Sequence, residues 1–148
     1  MEPEDRLRAL AEQAAGRAPV PVRVVAGHAG ALPADDGTCD AAVVSLVLCS
    51  VPEVAGALAE IRRVIGPGGQ LRFSEHVRSD KPWFGLLQTV VTPLWSRAGG
   101  GCHLNRDTAA AIRAAGFHIE QLDRFSYSPL RLVPAHDHIL GRARVPRR

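Results

Sequence analysis

The segment that most limits what this chain can fold into is Ala41–Leu48, an almost wholly apolar run led by Asp40. A half-exposed strand alternates apolar with polar residues. A run that is apolar at nearly every position must be buried on both faces, the situation of an inner strand in a parallel sheet. Parallel strands need crossover connections, usually helical. The following residues provide one: Val54, Leu58, Ile61 and Ile65 recur at helical spacing, opened by Pro52-Glu53 and closed by Gly66-Pro67-Gly68-Gly69. Beyond that sharp turn Leu71 and Phe73 alternate toward Glu75, so the order is strand, helix, turn, strand.

The same rules read the rest. Pro3 suits a first helical position, Glu4 and Asp5 suit the positive end of a helix dipole, and Leu7, Leu10, Ala11 and Ala14 form a short amphipathic face before Gly16. Val22–Ala26 is a β-branched run bounded by Gly27 and predicts a strand. Residues 81–101 carry Trp83, Phe84, Leu86, Leu87, Val90, Val91, Leu94 and Trp95, end in three consecutive glycines, and predict a helical lid over the sheet edge. Asn105 is placed to cap a helix through Ala115, and Phe117–Phe125 and Leu130–Arg142 predict a closing strand pair. Alternating helix and strand followed by such a pair indicates an α/β fold, a three-layer parallel sheet finished by an antiparallel strand. Ligands in such sheets bind beyond the carboxyl ends of the strands, here after Ala26, around Ser45–Ser50 and around Glu75–Ser79.

With 148 residues the chain is read as a single domain, 1–148. Its three cysteines, Cys39, Cys49 and Cys102, include no C-x-x-C pair, and no apolar run suits a signal peptide or a spanning helix, so a cytoplasmic, reducing setting is expected. The net charge of +3 is concentrated at Arg142, Arg144, Arg147 and Arg148 without interleaved aromatics, which predicts a solvated tail and no nucleic-acid partner. A metal site built from Cys39, Cys49, Cys102, His103, His136 and His138 is set aside on irregular spacing, so the sequence predicts no metal.

Four segments, in order, resemble one family: Ala26-Gly27-His28-Ala29-Gly30-Ala31-Leu32-Pro33; Cys39-Asp40 through Leu46-Val47-Leu48-Cys49-Ser50-Val51; Glu60-Ile61-Arg62-Arg63-Val64-Ile65-Gly66-Pro67-Gly68-Gly69; and Phe73-Ser74-Glu75-His76-Val77. They resemble class I S-adenosylmethionine-dependent methyltransferases. Gly101-Cys102-His103-Leu104 and His138-Ile139-Leu140-Gly141 add a similarity to the group that includes animal thiol methyltransferases.

The resemblance implies a Rossmann-like sheet of strand order 3-2-1-4-5-7-6, with Val22–Ala26 as the third strand and Ala41–Leu48 as the fourth. It further implies that the first strand, its glycine-rich loop and most of the second strand precede this sequence, an N-terminally truncated domain. Unpaired strand edges left by such a gap cost about 1–3 kcal/mol for each buried unsatisfied group. They would be relieved by a longer gene product, by closing up, or by pairing with another chain or an oligomer.

By the same resemblance Glu2 accepts the ribose diol of the cofactor, His28 and Ala29 hold its adenine ring, and Ser45 contacts it near the transferred methyl. For Glu2 the alternative is a frayed terminal residue, for His28 an exposed loop histidine, and for Ser45 a small packing residue. His76 and His103 are the histidines placed to contact a substrate or to serve as a base. The function implied is methyl transfer from S-adenosylmethionine to a small, lipophilic acceptor, with the chain as given incomplete or inactive. The alternative is a degenerate, non-catalytic fold that acts as a partner subunit. Fold and cofactor do not fix the acceptor.

Overall fold

The structure is a computed structural model, and it describes residues 1–128 and 135–147. Its elements are α1 (Asp5–Ala15), β1 (Ala41–Ser45), α2 (Val54–Ile65), β2 (Gln70–His76), α3 (Pro82–Ala98), α4 (Thr108–Ala114), β3 (His118–Tyr127) and β4 (His136–Arg144). The strands form a four-stranded sheet of order β1-β2-β4-β3. β1 pairs with β2 in parallel, and β4 runs antiparallel to both β2 and β3. This is an α/β Rossmann-like arrangement with its reversed strand next to the edge.

Register explains which side of the sheet is buried. Leu71, Phe73 and Glu75 of β2 stand opposite Ala143, Gly141 and Ile139 of β4, and this face carries the core with α2 and α4. α2 buries Ala57, Leu58, Ile61, Val64 and Ile65, the stripe expected of its helical spacing. Gly66 adopts a positive φ of 59° and ends the helix, and the tight turn to β2 follows. The opposite face presents Val43, 74% exposed, with Arg72 beside it, so β1 is an edge strand and is not buried on both faces as its apolar run predicts.

Gly141 is required where β4 crosses Phe73. A Cβ there would lie 2.4 Å from Phe73 Cζ and 2.5 Å from the Gln121 carbonyl oxygen. The glycine therefore admits the aromatic ring into the core.

Several sequence expectations are corrected. Val22–Ala26 forms no strand: the Glu2 N–H donates to the Val25 carbonyl at 3.1 Å, but no sheet strand among the described residues pairs with the segment. α1 begins after Pro3, because Glu4 is its cap and accepts from the N–H groups of Arg6 and Leu7. β1 stops at Ser45 instead of continuing through Leu48, since Leu46 turns to a φ of 56°. α4 is capped by Asp107, not Asn105, through a 2.9 Å bond from the Ala110 N–H. The final strand runs His136–Arg144, and the part of the expected strand at 130–134 lies outside the described residues. Arg142 and Arg144 belong to that strand and pair with Glu120 at 3.0 and 2.8 Å, so neither is a free tail residue.

Residues 82–98 are helical, with Pro82 at the start and Pro93 inside. α3 is inverted relative to an ordinary amphipathic helix: it buries Gly85, Gln88 and Thr92 and exposes Trp83, Leu86, Val90 and Leu94. Gln88 is satisfied inside, accepting from the Ser79 N–H at 2.7 Å and donating to the Val77 carbonyl at 3.3 Å. Among the described residues no helix is long and apolar enough to cross a membrane.

Candidate functional site

At the carboxyl end of β1 the chain turns through residues 46–51, and this loop is held from two sides. Glu75 is fully buried, yet its carboxylate has partners: Oε1 accepts from the N–H groups of Val47 and Leu48, and Oε2 from that of Cys49, each at 3.0 Å. A buried carboxylate is tolerated when it is matched by donors in this way. From the other side Arg106 Nη1 donates to the carbonyls of Leu48 and Val51 at 2.7 and 2.8 Å. Burial lowers the Arg106 pKa from its usual value. Donors and acceptors of one turn are thus each met by an opposite charge, and Leu46 is kept in a sparsely populated conformation of the sort that concentrates at functional sites.

A second segment, 28–36, is fastened to α2. The Leu32 N–H donates to Glu60 Oε2 at 3.0 Å, and Arg63 binds Glu60, Asp36 and the carbonyls of Ala34 and Leu32. The Arg63 guanidinium, with the Leu32 N–H, holds the Glu60 carboxyl down at about 2.

Between the two segments opens a cleft of about 490 Å³, lined by Glu2, His28, Ala29, Val47, Val51 and Glu53 among others. Glu2, His28 and Ala29, far apart in sequence terms from the loop, therefore share one cavity with it. Glu2 Oε1 accepts from the Glu4 N–H at 3.0 Å, which leaves Oε2 without a protein partner among the described residues. Ser45 does not line the cleft; it is exposed on β1, in register with Ser74. At this end of β1 the cleft is walled by Val47 and Val51.

His76 and His103 do not line the cleft either, but His103 attaches to its loop and His76 to the neighbouring Cys102. The His103 N–H donates to the Cys49 carbonyl at 2.7 Å, and its ring Nδ1 lies 2.7 Å from the Gly101 carbonyl. His76 Nδ1 lies 3.2 Å from Cys102 Sγ. The neighbouring Cys102 thiol, together with burial, pushes the Cys49 thiol far up, while the nearness of Cys49 lowers that of Cys102. His138 is lowered to about 4, chiefly by burial and then by His76 and His136.

The sequence reading missed Glu75 as the loop's anchor. The signal was available in the alternation: Leu71, Phe73 and Glu75 share a face, so a carboxylate had to enter the core and find donors there. It also missed Arg106, which follows the glycine run and carries no pattern of its own.

Comparison with known proteins agrees with this architecture. A family described as "Methyltransferase domain" matches residues 1–73. Human thiol S-methyltransferase TMT1B is 41% identical over 109 residues, which are 73% of this chain and 44% of that protein. The chain thus spans less than half the length of the curated relatives it matches. Among solved structures, a SAM-dependent methyltransferase from Methanosarcina mazei superposes with a TM-score of 0.75 at 17% identity, covering 99% of this chain and 81% of that one. The [4+2]-cyclase SpnF superposes with a TM-score of 0.73 at 21% identity, covering 99% of this chain and 64% of that one. At such identities these two likenesses concern the fold alone. Over residues 1–73 the chain thus matches the methyltransferase-domain family, and its strand order is that of the S-adenosylmethionine-dependent methyltransferase fold.

Proposed function

We propose that this chain takes part in methyl transfer from S-adenosylmethionine to a small lipophilic thiol, with the cofactor in the cleft at the carboxyl end of β1. The observation that carries this is the meeting of Glu2, His28 and Ala29 with Val47 and Val51 around one cavity of about 490 Å³. That volume suits a cofactor-sized ligand, and the lining supplies apolar walls with a few polar groups. Glu2 Oε2 is available to accept from the ribose hydroxyls, and a carboxylate can take two adjacent hydroxyls at once. His28 is placed to accept from the adenine amine through a neutral ring nitrogen, with the Ala29 backbone against the ring. S-adenosylmethionine supplies an electrophilic methyl group, so the protein's task is to place a nucleophile in line with it.

A thiol fits this economy of groups. With an ordinary pKa near about 8.5, it yields an appreciable thiolate fraction without a strong base. The exposed apolar side of α3, with Trp83, Leu86, Val90 and Leu94, supports a lipophilic acceptor and a covering role for the helix.

Calorimetric titration with S-adenosylhomocysteine tests the cofactor site: saturable, single-site binding is expected, and absence of heat at high ligand concentration would remove the proposal. Methyl transfer to small aliphatic and aromatic thiols, followed by mass spectrometry, tests the acceptor.

A second reading rests on β1, which has β2 on one side only and leaves Val43 exposed. An open edge strand is a template for another chain. On that reading the chain is a non-catalytic partner subunit, and light scattering would find a stable oligomer that binds no S-adenosylhomocysteine.

A further inference from the structure

We propose that Cys49, His76 and Cys102 form a binding site for one zinc-class cation. Their ligand atoms, two sulfurs and an imidazole nitrogen, all lie within 4.8 Å of one another, and the structure holds them at the ends of three different segments. Cys49 comes from the loop clamped by Glu75, His76 from the last position of β2, and Cys102 from the glycine run after α3.

The separations match what such an ion demands. Bonds of about 2.3 Å to sulfur and about 2.0–2.1 Å to nitrogen put tetrahedral ligand atoms about 3.5–3.8 Å apart. His76 Nδ1 and Cys102 Sγ already stand 3.2 Å apart, and the whole triangle closes within 4.8 Å. Adjustments on the order of 1 Å would therefore complete the first three bonds. Two thiolates and an imidazole are a soft set that selects zinc over calcium or magnesium.

The surroundings are built for this approach. Cys49 is fully buried and Cys102 nearly so, which excludes competing solvent. Gly101 has a φ of 85°, and a Cβ on it would lie 2.9 Å from the Ser50 carbonyl oxygen, so glycine is what brings Cys102 against the loop. His138 is buried, its ring centroid is 4.2 Å from that of His76, and its Nε2 has no hydrogen-bond partner among the described residues. His136 has both ring nitrogens in the same condition. Unmet buried polar atoms beside three ligand atoms are what an ion and its remaining ligand would satisfy. On binding, both thiols give up their protons to solvent, and His76 binds as the neutral ring through Nδ1. The ion would tie the glycine run to the loop that walls the cleft, whatever the cleft binds.

The test is titration of the reduced, chelator-treated chain with Co²⁺ as the spectroscopic probe, followed by displacement with Zn²⁺. One equivalent is expected, with a sulfur-to-metal charge-transfer band and visible bands of tetrahedral strength, both abolished by Zn²⁺. Cys102→Ser should lose about half of the charge-transfer intensity. His76→Gln, at a half-buried position, should weaken Co²⁺ binding by at least about ten-fold. Cys39→Ala should leave the spectrum intact, which separates the site from binding by unfolded thiols. No charge-transfer band in the parent chain, an unchanged spectrum in Cys102→Ser, or a spectrum lost in Cys39→Ala would each overturn the proposal. So would recovery of a Cys49–Cys102 disulfide from reducing conditions without metal uptake.

Discussion

Glu75 Oε2 accepts the backbone N–H of Cys49 at 3.0 Å, so a side chain in the interior of β2 sets the course of the loop that follows β1. Its other oxygen takes Val47 and Leu48. Replacing Glu75 with Gln keeps the shape but turns an amide NH₂ toward at least one N–H donor. A loss of about 2–4 kcal/mol is expected, from a buried donor left unmet and a charge-assisted bond weakened. Urea unfolding of Glu75→Gln measures it, and a shift in midpoint of less than half a kcal/mol equivalent would show that the loop does not depend on the carboxylate.

Arg106 is expected to affect binding more than folding. Arg106→Met retains much of the apolar stem but leaves the Leu48 and Val51 carbonyls without this donor, and Val51 lines the cleft. Affinity for S-adenosylhomocysteine should fall about ten-fold, equivalent to about 1.4 kcal/mol. Calorimetry of the variant beside the parent chain decides it.

For His28, loss of one neutral hydrogen bond to the adenine amine predicts about a five-fold weaker Kd in His28→Ala, near the net value of such a bond. His118→Ala, at an exposed position on β3, is the matched control and should bind as the parent does. Equal affinities for both variants would place the adenine elsewhere.

The pair Glu60–Arg63 carries a pH signature. Because the folded-state pKa of Glu60 is lowered from 4.5 to about 2, the unfolded chain binds more protons in that interval. The stabilisation is present above pH 4.5 and disappears as pH falls toward 2. Glu60 and Arg63 are partly solvated, so salt should reduce the effect. Urea midpoints of the parent and Glu60→Gln should differ at neutral pH and converge in acid.

A third stability test concerns Gly141. Gly141→Ala forces a Cβ against Phe73 and the Gln121 carbonyl, with an expected cost of about 1–3 kcal/mol for overpacking. Phe73→Leu in the same chain should recover part of it, and additivity of the two substitutions in thermal unfolding would contradict the contact.

Where local pattern and tertiary demand coincide, the chain could be read residue by residue. α2 runs Val54–Ile65 as its spacing and the Pro-Gly-Gly turn predict, and Leu71 and Phe73 alternate into the core. Val22–Ala26 has the composition of a strand, but strand formation needs a neighbour's hydrogen bonds, which composition cannot supply. Ala41–Leu48 reads as one strand, whereas Glu75, distant in sequence, captures the N–H groups of its last residues and bends it after Ser45. The cleft residues Glu2, His28 and Ala29 were named only through family resemblance. The grouping of Cys49, His76 and Cys102 has no regular spacing, because each arrives from a separate segment, and only the fold brings it into view.

The position of β2 between β1 and β4 also has a consequence for biosynthesis. Its parallel neighbour β1 is made before it, but Gln70 must wait for Arg144 and His76 for His138. At about 5–20 residues per second, a ribosome needs roughly 3–14 s to travel from His76 to Arg144. During that interval the nascent chain holds Leu71 and Phe73 on a strand with one open side, which makes this the stage at which chaperone capture or wrong pairing would compete with correct closure.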